Sequence, residues 1–77
     1  MIIDKESPVY PYMQIAGHLR QRIADGEITR QLPSYTELMD EADASLGTVQ
    51  RAIKVLIEEG LVFTVRGRGT YVRKDEA

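Results

Sequence analysis

The apolar residues of the chain recur every three or four positions in three successive stretches, and two short β-branched runs follow near the C-terminus. The first stretch has the spacing of an amphipathic helix whose inward side is formed by Tyr12, Ile15, Ala16, Leu19 and Ile23. Pro11 suits the first turn of that helix, and Asp25-Gly26 predicts its end. The pattern therefore predicts helix 1 from Pro11 onwards.

A second, shorter helix is predicted from its start signals. Pro33 biases Leu32 away from helical backbone. Ser34 is followed three positions later by Glu37, which is the spacing of a capping box. We therefore expect helix 2 from about Tyr35 to Ala42, after a connection from Glu27 to Leu32 with room for a brief extended piece.

The third stretch has the clearest helical period. Asp43-Ala44-Ser45 forms a turn, and Ser45 is a good N-cap for the helix that follows. Gly60 is expected to stop the helix. Its inward side is predicted to contain Val49, Ala52, Ile53, Leu56 and Ile57.

The last two runs, Leu61–Val65 and Thr70–Arg73, are β-branched and aromatic, with Arg66-Gly67-Arg68-Gly69 between them. This composition predicts a β-hairpin. Three helices followed by a two-stranded hairpin give a mainly α fold, the winged helix-turn-helix. We expect an N-terminal arm or extended lead-in over residues 1–9, the domain over 10–73 and a C-terminal tail over 74–77.

Composition narrows the function classes. The 77 residues suit one domain with a small core, and there is no cysteine. Disulfides and cysteine-based zinc sites are thereby excluded. No apolar run approaches the length of a membrane span and no signal-peptide pattern follows Met1, so a cytoplasmic protein is expected.

The charge is distributed unevenly along the chain. The net charge is −2, yet residues 45–74 contain six basic groups against Glu58 and Glu59, whereas residues 1–44 contain four against eight acidic ones. A local excess of cations is what phosphate binding requires. The alternative is an ordinary surface with chance asymmetry.

The outward side of helix 3 and the hairpin tip have chemistry suited to DNA. Thr48, Gln50 and Arg51 suit base edges or phosphates, Lys54 suits phosphate, and Gly47 allows close approach of the backbone. The two arginines of the tip, Arg66 and Arg68, suit phosphate or the minor groove, and its glycines suit the turn. A solvated helix face and a merely solubilising turn remain the alternatives.

No constellation for catalysis is found. His18 is the only histidine and lacks a cysteine or acidic partner. Ser34 and Ser45 are better explained as helix caps than as nucleophiles. Tyr10 and Tyr12 are expected to pack in the core against helix 3 or the wing, with stacking on a base as the alternative. An enzyme is therefore not expected, and neither a metal nor a cofactor.

Several motifs resemble the N-terminal DNA-binding domain of the GntR family of bacterial transcription regulators. The similarity runs from about Tyr10 to Val72 in the family's order. The matching pieces are Tyr12-Met13-Gln14-Ile15-Ala16, Ile23-Ala24-Asp25-Gly26-Glu27-Ile28, Leu32-Pro33-Ser34, Glu37-Leu38, Gly47-Thr48-Val49-Gln50-Arg51-Ala52, Glu59-Gly60-Leu61-Val62 and Gly67-Arg68-Gly69-Thr70-Tyr71-Val72.

The resemblance implies a winged helix-turn-helix that binds double-stranded DNA as a homodimer on a near-palindromic operator, in the bacterial cytoplasm and close to the nucleoid. It implies contacts to DNA from the start of helix 2, from helix 3 and its cap, and from the wing. The matching positions are Ser34, Thr36, Ser45, Leu46, Gly47, Thr48, Gln50, Arg66 and Gly67.

The chain also departs from the family pattern. Many members have arginine where this chain has Thr36 and Leu46, and often at the position of Gln50. The connection Thr29-Arg30-Gln31 is about two residues shorter than usual. We therefore expect Arg51, Lys54, Arg66 and Arg68 to supply more of the affinity, and phosphate contacts to outweigh base reading.

Members of the family normally continue into an effector-binding and dimerisation domain, whereas this chain ends just after the wing. The sequence is therefore expected to be either an excised domain or a stand-alone regulator, and no small-molecule effector site is assigned to it. The expected function is sequence-specific DNA binding, with repression by occupancy of the operator. The alternatives are a winged-helix module that binds protein, and an architectural or accessory DNA-binding protein of plasmid or phage origin with little sequence preference.

Overall fold

A computed structural model describes residues 1–74 and confirms the predicted fold class. The element order is α1 (Pro11–Ala24), α2 (Tyr35–Ala42), α3 (Leu46–Glu58), β1 (Val62–Val65) and β2 (Gly69–Val72). The two strands pair antiparallel, with Phe63 opposite Tyr71. The wing, defined as residues 62–72, therefore follows the helix-turn-helix formed by α2 and α3.

The core lies where the inward sides of the three helices meet the first residue of β1. The largest fully buried side chains are Ile15, Leu19, Leu38, Val49, Ile53, Leu56 and Val62. Four of the five residues predicted for the inward side of α3 are buried, but Ile57 is 39 % exposed. Ile57 lies about 80° around the helix from Val49, at about 100° per residue, so it falls at the edge of the buried stripe.

The turn between α2 and α3 is short because both of its sides are capped. Asp43 ends α2 with left-handed backbone at φ 50°, and the backbone N–H of Ala44 donates to Met39 O at 3.1 Å. Ser45 then begins α3 as its N-cap. This geometry fixes the direction in which α3 leaves the turn.

The connection before α2 contains the brief extended piece that the sequence suggested. Leu32 N donates to Thr70 O at 2.9 Å, and Val72 N donates to Arg30 O at 2.8 Å. Between them, Gln31 forms a single antiparallel bridge with Tyr71. Residues 30–32 therefore lie against β2 as a third extended segment and tie the start of α2 to the wing.

Residues 1–9 do not extend from the body as an arm. Met1 and Ile3 pack against the core. The Gln14 side chain donates to Asp4 O at 2.7 Å and accepts from Asp4 N at 2.8 Å. Lys5 Nζ lies 3.3 Å from Asp43 Oδ2. The apolar residues of the segment have no regular period, so the sequence does not predict this docking.

Of the predicted tail, residues 75–77 lie outside the described part of the chain. Within residues 1–74, no helix has both the length and the hydropathy needed to cross a membrane. The same residues contain no group of histidine and acidic side chains arranged to hold a metal ion.

Candidate nucleic-acid interface

The start of α3 is organised by its own hydroxyl groups. Ser45 Oγ accepts from Thr48 N at 3.2 Å and lies 3.0 Å from Thr48 Oγ1. The side chain of Ser45 thus satisfies a backbone donor that the first turn would leave free. Leu46, the next residue, is 44 % exposed. A Cβ at Gly47 would meet nothing within 4 Å apart from its chain neighbours and the backbone of its own helix.

The exposed side of the first turns of α3 forms a shallow recess, which we call the α3 recess. It is lined by Ser45, Gly47, Thr48, Gln50, Arg51 and Lys54. The structure therefore brings together six of the residues that the sequence analysis selected, on one side of one helix. Leu46 does not line this recess.

The start of α2 is fixed by the predicted capping box. Glu37 N donates to Ser34 Oγ at 3.1 Å, and Ser34 N donates to Glu37 Oε1 at 2.9 Å. The donated bond from the Ser34 backbone holds the pKa of the Glu37 carboxyl below its ordinary value, and the Ser34 hydroxyl acts in the same direction. Thr36 is exposed beside this cap.

A cleft separates the start of α2 from the wing, and we call it the wing cleft. Ser34 and Thr36 line one side and Gly67 and Arg68 line the other. Candidate residues that lie more than 30 positions apart in the sequence therefore face one another. Arg66 lines neither the wing cleft nor the α3 recess, although it is exposed in the turn between the strands.

Gln31 is a residue of this site that the sequence analysis did not select. Its side-chain Nε2 donates to Arg68 O at 3.2 Å across the cleft. A Cβ on Gly69 would lie only 2.7 Å from that Nε2, and Gly69 also has φ 129°. The backbone conformation favours glycine at position 69, and a side chain there would also displace the end of the Gln31 amide from its place beside Arg68 O. The contact joins residues 37 positions apart, so no local pattern predicts it.

The cations of the interface differ from the arginines of α1 in their surroundings. We define the basic face as Arg51, Lys54, Arg66 and Arg68. Among residues 1–74, no carboxylate forms a salt bridge with any of these four, whereas Arg20 pairs with Glu59 and Arg22 pairs with two glutamates. The positive charge of the basic face is therefore left available to an anion.

One residue of the basic face has an aromatic partner. The guanidinium carbon of Arg51 lies 4.1 Å from the centroid of the Tyr12 ring. Tyr12 in turn stacks on Tyr10 at a centroid distance of 6.1 Å and an interplanar angle of 14°. The expectation of core packing is met by Tyr12, which is half-buried against the core, and is wrong for Tyr10, which is 69 % exposed.

The family model for bacterial regulatory proteins of the gntR family matches residues 11–72. The chain is 40 % identical over 76 residues to the HTH-type transcriptional repressor NagR of Bacillus subtilis, covering 96 % of this chain and 31 % of NagR. It is 36 % identical over 75 residues to the HTH-type transcriptional repressor YtrA of the same species, covering 95 % of this chain and 58 % of YtrA. The chain thus spans about a third to a little over half of these relatives.

Solved structures show the same architecture. The DNA-binding domain of AraR, in complex with operator ORX1, superposes with a TM-score of 0.85 at 28 % identity, covering 95 % of each chain. The possible transcriptional regulator YydK of Bacillus subtilis superposes with a TM-score of 0.80 at 30 % identity, covering 90 % of this chain and 31 % of YydK. The family match, the relatives and the superpositions agree, and the chain belongs to the GntR family, of which it is a winged helix-turn-helix DNA-binding domain.

Proposed function

We propose that this domain binds an operator in double-stranded DNA, with α3 in the major groove and the wing beside it, and that it represses transcription by occupying that operator. The observation that carries the proposal is the α3 recess, in which hydrogen-bonding side chains share one exposed side of the helix with two cations that form no salt bridge within residues 1–74. An α-helix fits the major groove, which is about 12 Å wide.

Phosphate contacts are assigned to the basic face. None of its four cations is engaged by a carboxylate within residues 1–74, so binding to DNA breaks no ion pair there. Each cation that meets a phosphate releases a counterion, which makes the affinity depend on salt. We therefore assign most of the binding energy to phosphate contacts.

Reading of the base sequence is assigned to Gln50 and Thr48. Both lie in the α3 recess, and an amide can pair in bidentate fashion with adenine. The hydroxyls of Ser34 and Ser45 are occupied in capping, so we assign these residues to holding the helix N-termini in place beside the DNA. Thr36, Leu46 and Gly67 complete the proposed contact set at the edges of the recess and the cleft.

The similar proteins support this function. AraR's DNA-binding domain was solved with an operator, and NagR and YtrA are named transcriptional repressors. By analogy we propose a near-palindromic operator occupied by two copies of the domain, one on each half-site. The site of action would be the bacterial nucleoid in the cytoplasm, and the proposal assigns no small-molecule effector to these residues.

Selection of bound sequences from a random pool of duplexes tests the proposal. The expected result is enrichment of one motif with two inverted half-sites, which also reports binding by two copies. The matched control is a variant that replaces all four cations of the basic face with glutamine, for which no motif should be enriched. Equal affinity of the wild-type domain for selected and random duplexes would refute specific binding, and no binding at low salt by a folded sample would refute the function altogether.

A further inference from the structure

We propose that Tyr12 is a positioning residue for DNA binding, whose ring holds the guanidinium of Arg51 at the α3 recess before DNA arrives. The inference rests on the proposed function of Arg51 as a phosphate or base contact. It adds a residue of α1 to a binding apparatus otherwise formed by α2, α3 and the wing.

The geometry of the pair is that of a cation–π interaction. The Arg51 guanidinium carbon lies 4.1 Å from the centroid of the Tyr12 ring, well within the distance of about 6 Å at which such attraction operates. No carboxylate within residues 1–74 forms a salt bridge with Arg51. The ring is thus the partner that the structure gives this guanidinium.

Tyr12 is itself held in place on several sides. The Tyr12 ring packs half-buried against the core and also stacks on the ring of Tyr10. The backbone around it is fixed because Gln14 donates to Val9 O at 2.8 Å, and Pro11 begins the helix between them. A ring with so little freedom can restrict a side chain that rests on it.

The consequence is preorganisation of a flexible side chain. An arginine carries much rotamer entropy, and ordering it on DNA reduces affinity unless the ordering is already present. Within residues 1–74, Lys54, Arg66 and Arg68 form no cation–π contact, so Arg51 alone of the basic face should depend on Tyr12. A guanidinium on a ring also keeps its edge N–H groups free to donate to a phosphate.

A double-mutant cycle measured as operator affinity tests the inference. Tyr12→Leu should weaken binding about two- to fivefold, the range for a cation–π pair at an exposed site, whereas Tyr12→Phe should stay within twofold of wild type. In an Arg51→Gln background, Tyr12→Leu should have no further effect. In an Arg66→Gln background it should retain its full effect, because Arg66 does not contact the ring.

The salt dependence of operator affinity distinguishes a residue that contacts a phosphate from a residue that only positions another. Arg51→Gln should lower the salt slope by about one unit, because a phosphate contact is lost. Tyr12→Leu should leave the slope unchanged, because Arg51 still reaches the DNA and only its ordering has become unfavourable. Equal losses for Tyr12→Phe and Tyr12→Leu would assign the effect to the hydroxyl and overturn the inference.

The contact between the Arg51 guanidinium and the Tyr12 ring is also testable without DNA. In the free wild-type domain, NMR signals of the Arg51 side chain should be shifted upfield by the ring current, with the shift kept in Tyr12→Phe and lost in Tyr12→Leu. Thermal unfolding confirms that each variant is folded, and Tyr12→Met replaces Tyr12→Leu if the latter is not. Absence of the shift in the wild-type domain would overturn the inference.

Failure of the inference and failure of the proposed function give different results. If Arg51→Gln does not weaken operator binding, the assignment of Arg51 as a DNA contact is wrong and the inference falls with it. If Arg51→Gln weakens binding but Tyr12→Leu has the same effect in both Arg51 backgrounds, only the positioning role of Tyr12 is refuted.

Discussion

The arginines of α1 and the cations of the basic face have the same charge, but only the former are paired with carboxylates within residues 1–74. Arg20 donates two hydrogen bonds to Glu59, at 2.9 and 2.7 Å, and thereby joins α1 to the end of α3. Arg22 lies 2.6 Å from a Glu27 oxygen and 3.5 Å from one of Glu41. The basic face forms no such pair within residues 1–74, and the difference separates cations that stabilise the fold from cations left available to a ligand.

This difference also explains how a chain of net charge −2 suits a polyanion. Carboxylates occupy the arginines of α1, so those cations contribute little field beyond their partners. The four cations of the basic face retain theirs, and phosphate attraction depends on this local field more than on the total charge.

Removing the whole basic face should have the largest effect. Replacing Arg51, Lys54, Arg66 and Arg68 together with glutamine should abolish operator binding at physiological salt. In the residual binding measured at low salt, the slope should be lower by about three to four units, since each phosphate contact contributes about 0.9. The thermal unfolding midpoint should stay near that of wild type because none of the four is in a salt bridge within the described residues. Binding that survives with an unchanged slope would show that other cations contact the DNA.

Single substitutions should show how much each cation of the basic face contributes to DNA binding. Arg51→Ala or Arg66→Ala should each lower the salt slope by about one unit and weaken binding roughly uniformly across sequences. The matched control is Arg22→Gln, which also removes one positive charge but from a side chain paired with glutamates. A slope reduced as much by the control would mean that total charge, and not the basic face, governs binding.

Gln50→Ala should change the preference for base sequence more than the overall affinity for DNA. The amide lies in the α3 recess and carries no charge, so the salt slope should not move. Discrimination at one base pair should fall by about 1–3 kcal/mol, the value of one good bidentate pair. Sequence selection with the variant measures this, and an unaltered motif would remove Gln50 from base reading.

Arg20→Ala should leave operator binding unchanged and affect only stability. Both partners of the Arg20–Glu59 pair are more than a third exposed, so water screens the pair and the loss should be at most about 1 kcal/mol. Chemical denaturation at neutral pH measures this loss, and a weakened operator affinity at constant stability would contradict the structural role of Arg20.

The same pair predicts a small dependence on pH. The hydrogen bonds from Arg20 hold the pKa of the Glu59 carboxyl below its ordinary value of 4.5. The stabilisation is therefore present above that value and is lost as the pH falls through the lowered pKa of the folded state. The stability difference between wild type and Arg20→Ala should accordingly shrink in acid, and a constant difference would argue against the pair as its source.

The helices were predictable because their signals are local. The start and stop signals of α2 and α3 each lie within a few residues, namely Ser34 with Glu37, Ser45 with the turn before it, and Gly60. The structure places the two helices accordingly. The strand limits differ slightly from the predicted runs: β1 begins one residue later, at Val62, and β2 begins and ends one residue earlier, at Gly69 and Val72. Pairing between strands decides those limits, and pairing is not a local property.

The features that sequence reasoning missed are all long-range. Gln31 reaches Arg68, Tyr12 lies under Arg51, and Met1 and Ile3 join the core although their segment has no period. Each of these contacts depends on how separate elements come to lie side by side. The helix caps and the candidate DNA contacts follow from local sequence patterns, whereas the contacts of Gln31 and Tyr12 with distant elements do not.

The attachment of residues 30–32 to β2 holds the start of α2 and the wing at a fixed separation. Backbone bonds from Leu32 to Thr70 and from Val72 to Arg30 lie on either side of the Gln31 bridge, so the start of α2 and the wing cannot separate without breaking them. The distance between the two sides of the wing cleft is thus set by the protein. A duplex whose groove does not match that distance must itself be deformed on binding, and the energy of that deformation varies with sequence even at base pairs that no side chain touches.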